Sequence, residues 1–172
     1  GVCPGGIKVN GYYQDYLLKV WDIVSSNNNI KKHSGQVSIE LANEPVNIYD
    51  ADSLESARAP YDFFQPIVDK IRANGFDGII WVPGTGWQSN YVCYKNNPIE
   101  GYNIGYAVHA YVGWYNCSDE NANGDTFIQE FGKSVPVVET NPVIITEVDW
   151  SPEKEGEGHY DEHGNWVPAN WG

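Results

Sequence analysis

Two carboxylates stand where apolar runs give way to polar residues. Glu44 follows Val37-Ser38-Ile39-Glu40-Leu41-Ala42 and sits between Asn43 and Pro45, while Glu147 ends the apolar part of Val143-Ile144-Ile145-Thr146-Glu147-Val148. A carboxylate at the end of a buried strand must be paired or functional, because an isolated charge is costly in a low dielectric. Two of them on different strands suit paired acid/base work. One protonates a leaving oxygen while the other attacks carbon or activates water, which is what cleavage of a glycosidic bond requires. His109 and Tyr111 close a third apolar run, Ile104–Tyr111, and Trp87 lies shortly past a fourth, Gly78–Val82. Each has a structural alternative. Glu44 before Pro45 would favourably begin a helix, His109 could be a satisfied core histidine, and Tyr111 an ordinary strand aromatic.

The intervening segments read as the elements that would hold these groups. Tyr16, Leu17, Val20, Trp21 and Val24 follow the helical period over residues 12–27, and the polar stretch Ser25–Gly35 ends it. Phe64, Ile67, Val68 and Ile71 form one face of a second helix, 61–74, with Gly75 as its stop. A short helix is expected over 126–133, loop over 83–103, and a loop-like tail from Ser151. Four buried strands separated by helices mean a parallel sheet. The polar residues then gather at the C-terminal ends of the strands, the face on which (β/α)8 barrels build their sites.

Composition narrows the partners. A formal net charge of -13 over 172 residues argues against nucleic acid, which needs a basic face, and against an anionic membrane surface. Acidity of this kind mainly keeps a protein soluble. No apolar run is long enough to span a bilayer, and no signal peptide stands out. The 7 Trp and 12 Tyr could line a core or act as platforms for the apolar faces of sugars.

Ile39-Glu40-Leu41-Ala42-Asn43-Glu44-Pro45 resembles the signature of glycoside hydrolase family 5, the cellulase and mannanase family. His109-Ala110-Tyr111 is similar to the family's His-x-Tyr on strand six, and Glu147 stands at the place of its strand-seven nucleophile. The resemblance implies an α/β protein with a (β/α)8 TIM barrel, represented here by about strands four to seven, as one catalytic domain over 1–172 truncated at both ends. It implies Glu44 as acid/base, Glu147 as nucleophile and Asn43 on the sugar 2-hydroxyl. Tyr111 would hold Glu147, and His109 would contact substrate or acid/base. Trp87 and Trp150 would be sugar platforms, with Trp166 and Trp171 as further candidates. The implied activity is a secreted, retaining endo-β-1,4-glucanase acting on plant polysaccharide without a required cofactor. A β-mannanase, a xyloglucanase or a non-catalytic carbohydrate-binding barrel are the alternatives. Val148-Asp149-Trp150 departs from the aromatic-Gly that often follows the nucleophile. The family's strand-two Arg, strand-three His and strand-eight Trp have no counterpart, so missing parts of the barrel, or a second copy, would have to cover its edges.

Two further features stand apart from the carboxylates. Cys93 and Cys117 occupy polar, Asn-rich loops and would be either a disulfide of an exported protein or two free thiols. Asp119, Asn121, Asn123 and Glu130 fit positions 1, 3, 5 and 12 of a linear calcium loop, with Gly124 at position 6. The competing reading is an Asn/Asp/Gly turn in which Asp125 caps the helix at Thr126.

Overall fold

A computed structural model of the chain describes residues 6–111, 113–116, 123–149 and 159–167. The elements run β1 (Ile7–Lys8), α1 (Tyr12–Ser26), α2 (Asn28–Lys32), β2 (Ile39–Glu40), β3 (Ile48–Tyr49), α3 (Ala59–Ala73), β4 (Ile80–Pro83), β5 (Ile104–Tyr111), α4 (Gly124–Ser134), β6 (Val143–Asp149), β7 (His159–Tyr160) and β8 (Trp166–Val167). Strands β2, β4, β5 and β6 form one parallel sheet in that order. The short strands β1 and β3 pair in parallel beside it, and β7 and β8 make an antiparallel hairpin. The architecture is a half-barrel of parallel strands with helices.

Burial follows position in the sheet. Ile104 through Ala110 of β5 are all buried, as expected for a strand flanked on both edges and covered on both faces. Ile39, Leu41, Ile80 and Val82 join it, and Phe63, Phe64, Ile67, Val68 and Ile71 of α3 pack into the same core. Each such side chain contributes roughly 1.5–3 kcal/mol. The expectation of full burial fails at β6, where Ile144, Ile145 and Val148 are exposed. The cause is topological: β6 ends the sheet and pairs only with β5 among the described residues.

Caps explain where the helix limits differ from the sequence reading. The Asn27 side chain accepts from the Asn29 and Ile30 N–H groups, so a new helix, α2, starts in the stretch expected to be irregular. Asn123, not Asp125, caps α4: its Oδ1 accepts from the N–H groups of Asp125 and Thr126, and the helix begins at Gly124. Of the 83–103 segment, Pro83 ends β4, Thr85 and Asn90 form an isolated bridge and Val92–Lys95 a 3-10 turn; the rest is irregular.

Helices α1 and α3 are joined by a polar tie through the core. Pro66 lies inside α3 and lacks the N–H that would normally reach the Asp62 carbonyl. The buried Gln14 of α1 supplies the missing donor: its Nε2 reaches the Asp62 oxygen at 3.0 Å and the Phe63 oxygen at 2.8 Å, while its Oε1 accepts from the Asn10 N–H. Gln14→Leu fills the same space and leaves the Asp62 carbonyl and the Asn10 N–H without their partner. It is expected to cost about 2 kcal/mol, read as a lower thermal midpoint of the complete protein. An unchanged midpoint would mean that water replaces the tie.

At the N-terminal ends of the strands, Arg72 donates to the carbonyls of Phe76, Gly78 and Tyr102 and so fixes the entries to β4 and β5. Gly105 faces Trp81 across the two strands. A Cβ at Gly105 would lie 2.3 Å from Trp81 Cζ3, so the indole covers this position only because it is glycine. The opposite, C-terminal ends are left to the polar residues.

Candidate active site

Glu44 stands on the turn leaving β2, in the left-handed region at φ 51°, a conformation costly for a residue with a side chain. The turn is held from the facing loop after β4. Glu44 N–H donates to Gln88 Oε1 at 2.6 Å, Trp87 N–H to the Pro45 carbonyl at 3.2 Å, and Gly86 N–H to the Val46 carbonyl at 2.8 Å. Trp21 adds a bond from α1, its indole N–H reaching the Leu41 carbonyl just before the turn. Glu44 thus occupies a braced backbone position and does not open a helix.

Glu147 is placed by a bulge. In the β5–β6 ladder Val108 pairs with Ile145, but the next residue, His109, pairs with Glu147, so Thr146 is the extra residue. A regular ladder would set Thr146 beside His109 and turn Glu147 to the other face, since side chains alternate along a strand. Bulges beside sites re-aim side chains in this way. Here the bulge puts Glu147 on the same face as His109.

The three side chains converge. His109 is fully buried, and its Nδ1 lies 3.0 Å from Glu44 Oε1 and 3.4 Å from Glu147 Oε2. A single Nδ1–H can serve only one carboxylate at a time, and the shorter distance favours Glu44. Its Nε2 is buried and finds no hydrogen-bond partner among the described residues. Tyr111 donates to Glu147 Oε2 at 2.6 Å, and Trp114 packs its ring 5.1 Å from that of Tyr111. Ligand atoms of Glu44, His109 and Glu147 all lie within 4.8 Å of one another. The Glu147 side chain is 39% exposed and that of Glu44 16%, so both open to solvent from a buried floor.

Other sequence-predicted positions fare variously. Asn43 is exposed beside Glu44, and Trp87 is exposed next to the braced loop. Trp87 and Trp114 line a cavity of about 340 Å³ with Ser89, Asn90, Tyr115 and Ser134. Trp166 is exposed on the β7–β8 hairpin against Tyr160. Trp150 and Trp171 lie outside the described residues. So do Asp119 and Asn121 of the calcium-loop reading. Of its other two residues, Asn123 serves as the α4 cap and Glu130 pairs with Lys133 at 2.6 Å. Gln88 and Trp114 are missing from the sequence reading, for lack of any periodic or motif signal in the loops that carry them.

Cys93 is half-buried within the 3-10 turn and has no disulfide partner among the described residues; its expected partner Cys117 lies outside them. Burial pushes the Cys93 thiol up to about 12. It is therefore expected to stay protonated at pH 8. In the folded, reduced protein it should alkylate with iodoacetamide on the order of 100-fold more slowly than free cysteine. Labelling at the free-cysteine rate, followed by mass spectrometry, would overturn this.

Fold and site together define part of a (β/α)8 barrel with an acidic pair at its strand ends. The chain belongs to the cellulase family, glycosyl hydrolase family 5, whose model matches residues 8–169. An endoglucanase from Halalkalibacter akibai is 28% identical over 154 residues, covering 77% of this chain and 19% of that protein. A β-glucanase from Saccharophagus degradans, solved in complex with cellotetraose, is similar at TM-score 0.64 and 24% identity, over 83% of this chain and 42% of its own. The catalytic domain of a Thermobifida fusca endoglucanase matches at TM-score 0.55 and 23% identity, over 87% and 46% respectively. The solved structures establish likeness of fold. The chain spans less than half the length of each of these relatives.

Proposed function

We propose that the complete protein is a retaining endo-β-1,4-glucanase that cleaves cellulose or a related β-glucan by double displacement. The observation that carries this reading is that one carboxyl oxygen of Glu44 and one of Glu147 lie within 4.8 Å of each other. Retaining enzymes hold the pair roughly 5–5.5 Å apart, whereas inverting ones need about 6.5–9.5 Å for an interposed water. Glu147 attacks the anomeric carbon as the glycosidic C–O bond breaks, and Glu44 gives its proton to the leaving oxygen. Water then attacks the same carbon, Glu44 takes its proton, and Glu147 leaves. Tyr111 holds Glu147 in line through its hydroxyl, and His109 orients Glu44. Asn43 is assigned to the sugar 2-hydroxyl and Trp87 to stacking on a pyranose face. The two carboxyls handle every proton and bond, so the reaction calls for no cofactor.

The family match and the endoglucanase relative support a glucan over other β-glycans, as does the cellotetraose held by the Saccharophagus degradans β-glucanase. A polymeric substrate of this kind would be met outside the cytoplasm, so secretion accompanies the proposal. The test is hydrolysis of cellulose, mixed-linkage glucan, mannan and xyloglucan by the complete protein, with NMR of the first-formed anomer. Preference for a β-1,4-glucan with initial β-anomer is expected. Preference for mannan, or an initial α-anomer, would overturn the substrate or the mechanism respectively.

A further inference from the structure

We infer that Gln88 is the positioning residue for the acid/base Glu44, an inference that rests on the proposed glucanase chemistry. Gln88 is fully buried and left-handed at φ 60°, directly after Trp87 at φ 56°. Consecutive non-glycine residues in this region are strained and persist only where surrounding bonds enforce them. Those bonds converge on the site. Oε1 accepts from the Glu44 N–H at 2.6 Å, while Nε2 donates to Glu40 Oε1 at 2.9 Å and to the Ala107 carbonyl at 3.1 Å. The Gln88 main-chain oxygen accepts from the His109 N–H at 3.0 Å.

One residue therefore fixes the backbone of both partners of the 3.0 Å Glu44–His109 contact. The side-chain chemistry is specific. A primary amide offers an acceptor on one atom and two donors on the other, and the three partners here need one acceptor and two donors. A carboxylate would keep the bond to Glu44 N–H but would set an anion against Glu40 and an acceptor against Ala107. An apolar side chain would take the acceptor from the Glu44 N–H, while Ala107 and Glu40 keep bonds from Tyr91 and Thr146. Gln88 holds Glu44 by its main-chain N–H, so its influence on proton transfer passes through backbone placement.

A misplaced Glu44 slows glycosylation only where the leaving group needs a proton, and as a misplaced base it slows deglycosylation on every substrate. A general folding defect slows all substrates alike. The variant is Gln88→Leu in the complete protein, with rates expressed per site titrated by a 2-deoxy-2-fluoro-cellobioside inactivator. The expected result is a kcat/KM on cello-oligosaccharides lowered by about 100-fold, within the range general acid catalysis supplies. With 2,4-dinitrophenyl β-cellobioside, kcat/KM should change by less than about 5-fold, while kcat falls and azide restores it. Gln88→Glu, which retains the acceptor at Glu44, is read the same way if the leucine variant gives no titratable sites. Equal losses on both substrates, or oligosaccharide rates near wild type, would overturn the positioning role. A wild-type protein that cleaves neither substrate would instead overturn the glucanase reading.

Discussion

In the complete enzyme, Glu147→Gln is expected to lower glucan hydrolysis on the order of 10⁴-fold or more, with the fold intact. Glutamine has nearly the same shape and can still accept from the Tyr111 hydroxyl that lies 2.6 Å from Glu147 Oε2. What it lacks is the charge that attacks carbon, so no covalent intermediate forms on any substrate. Glu44→Gln should lose a similar factor on glucan but differ on an activated aryl glycoside. There the leaving group departs unassisted, Glu147 is still glycosylated, and azide replaces the water that Glu44 no longer activates. Steady-state rates with and without azide distinguish the two carboxylates. Near-normal glucan hydrolysis by either variant would remove its assigned role. Azide acceleration of the Glu147 variant in place of the Glu44 variant would exchange the roles.

The placement of these two groups was largely readable from sequence because it depends on local pattern. A continuous apolar run suggests a strand buried on both faces, which holds for β5 at Ile104–Tyr111 and fails at the edge strand β6. Polar residues at strand ends follow once the strands are parallel. What escapes is whatever depends on a neighbour. Nothing within Val143–Val148 announces that Thr146 is skipped in the ladder, yet that skip decides whether Glu147 faces His109. Nothing in Trp87-Gln88-Ser89 marks the middle residue as buried, because its partners lie 44, 48 and 19 positions away in the chain. The α4 boundary fails for a smaller reason: Asn123 and Asp125 both make good caps, and only the backbone geometry chooses Asn123.

The 172-residue chain on its own is expected to show no glucan hydrolysis under conditions where the complete enzyme is active. In the four-stranded sheet β2 and β6 each have a single neighbour among the described residues. Glu44 leaves one of these edge strands and Glu147 lies on the other. The groups that must hold their mutual distance to a fraction of an ångström therefore sit at the two ends of an unclosed sheet. Misplacement by about 1 Å is enough to cost on the order of 100-fold in rate. Exposed Ile144, Ile145 and Val148 also give β6 an apolar edge that invites pairing with another chain. In the complete enzyme, further strands of the same barrel would close both edges and supply the substrate contacts on the far side of the pair. Size-exclusion chromatography of the isolated chain should show self-association through these edges, and an assay of the same fractions should show no product. A monomeric fraction that hydrolyses glucan would mean that the half-barrel holds the carboxylates without closure.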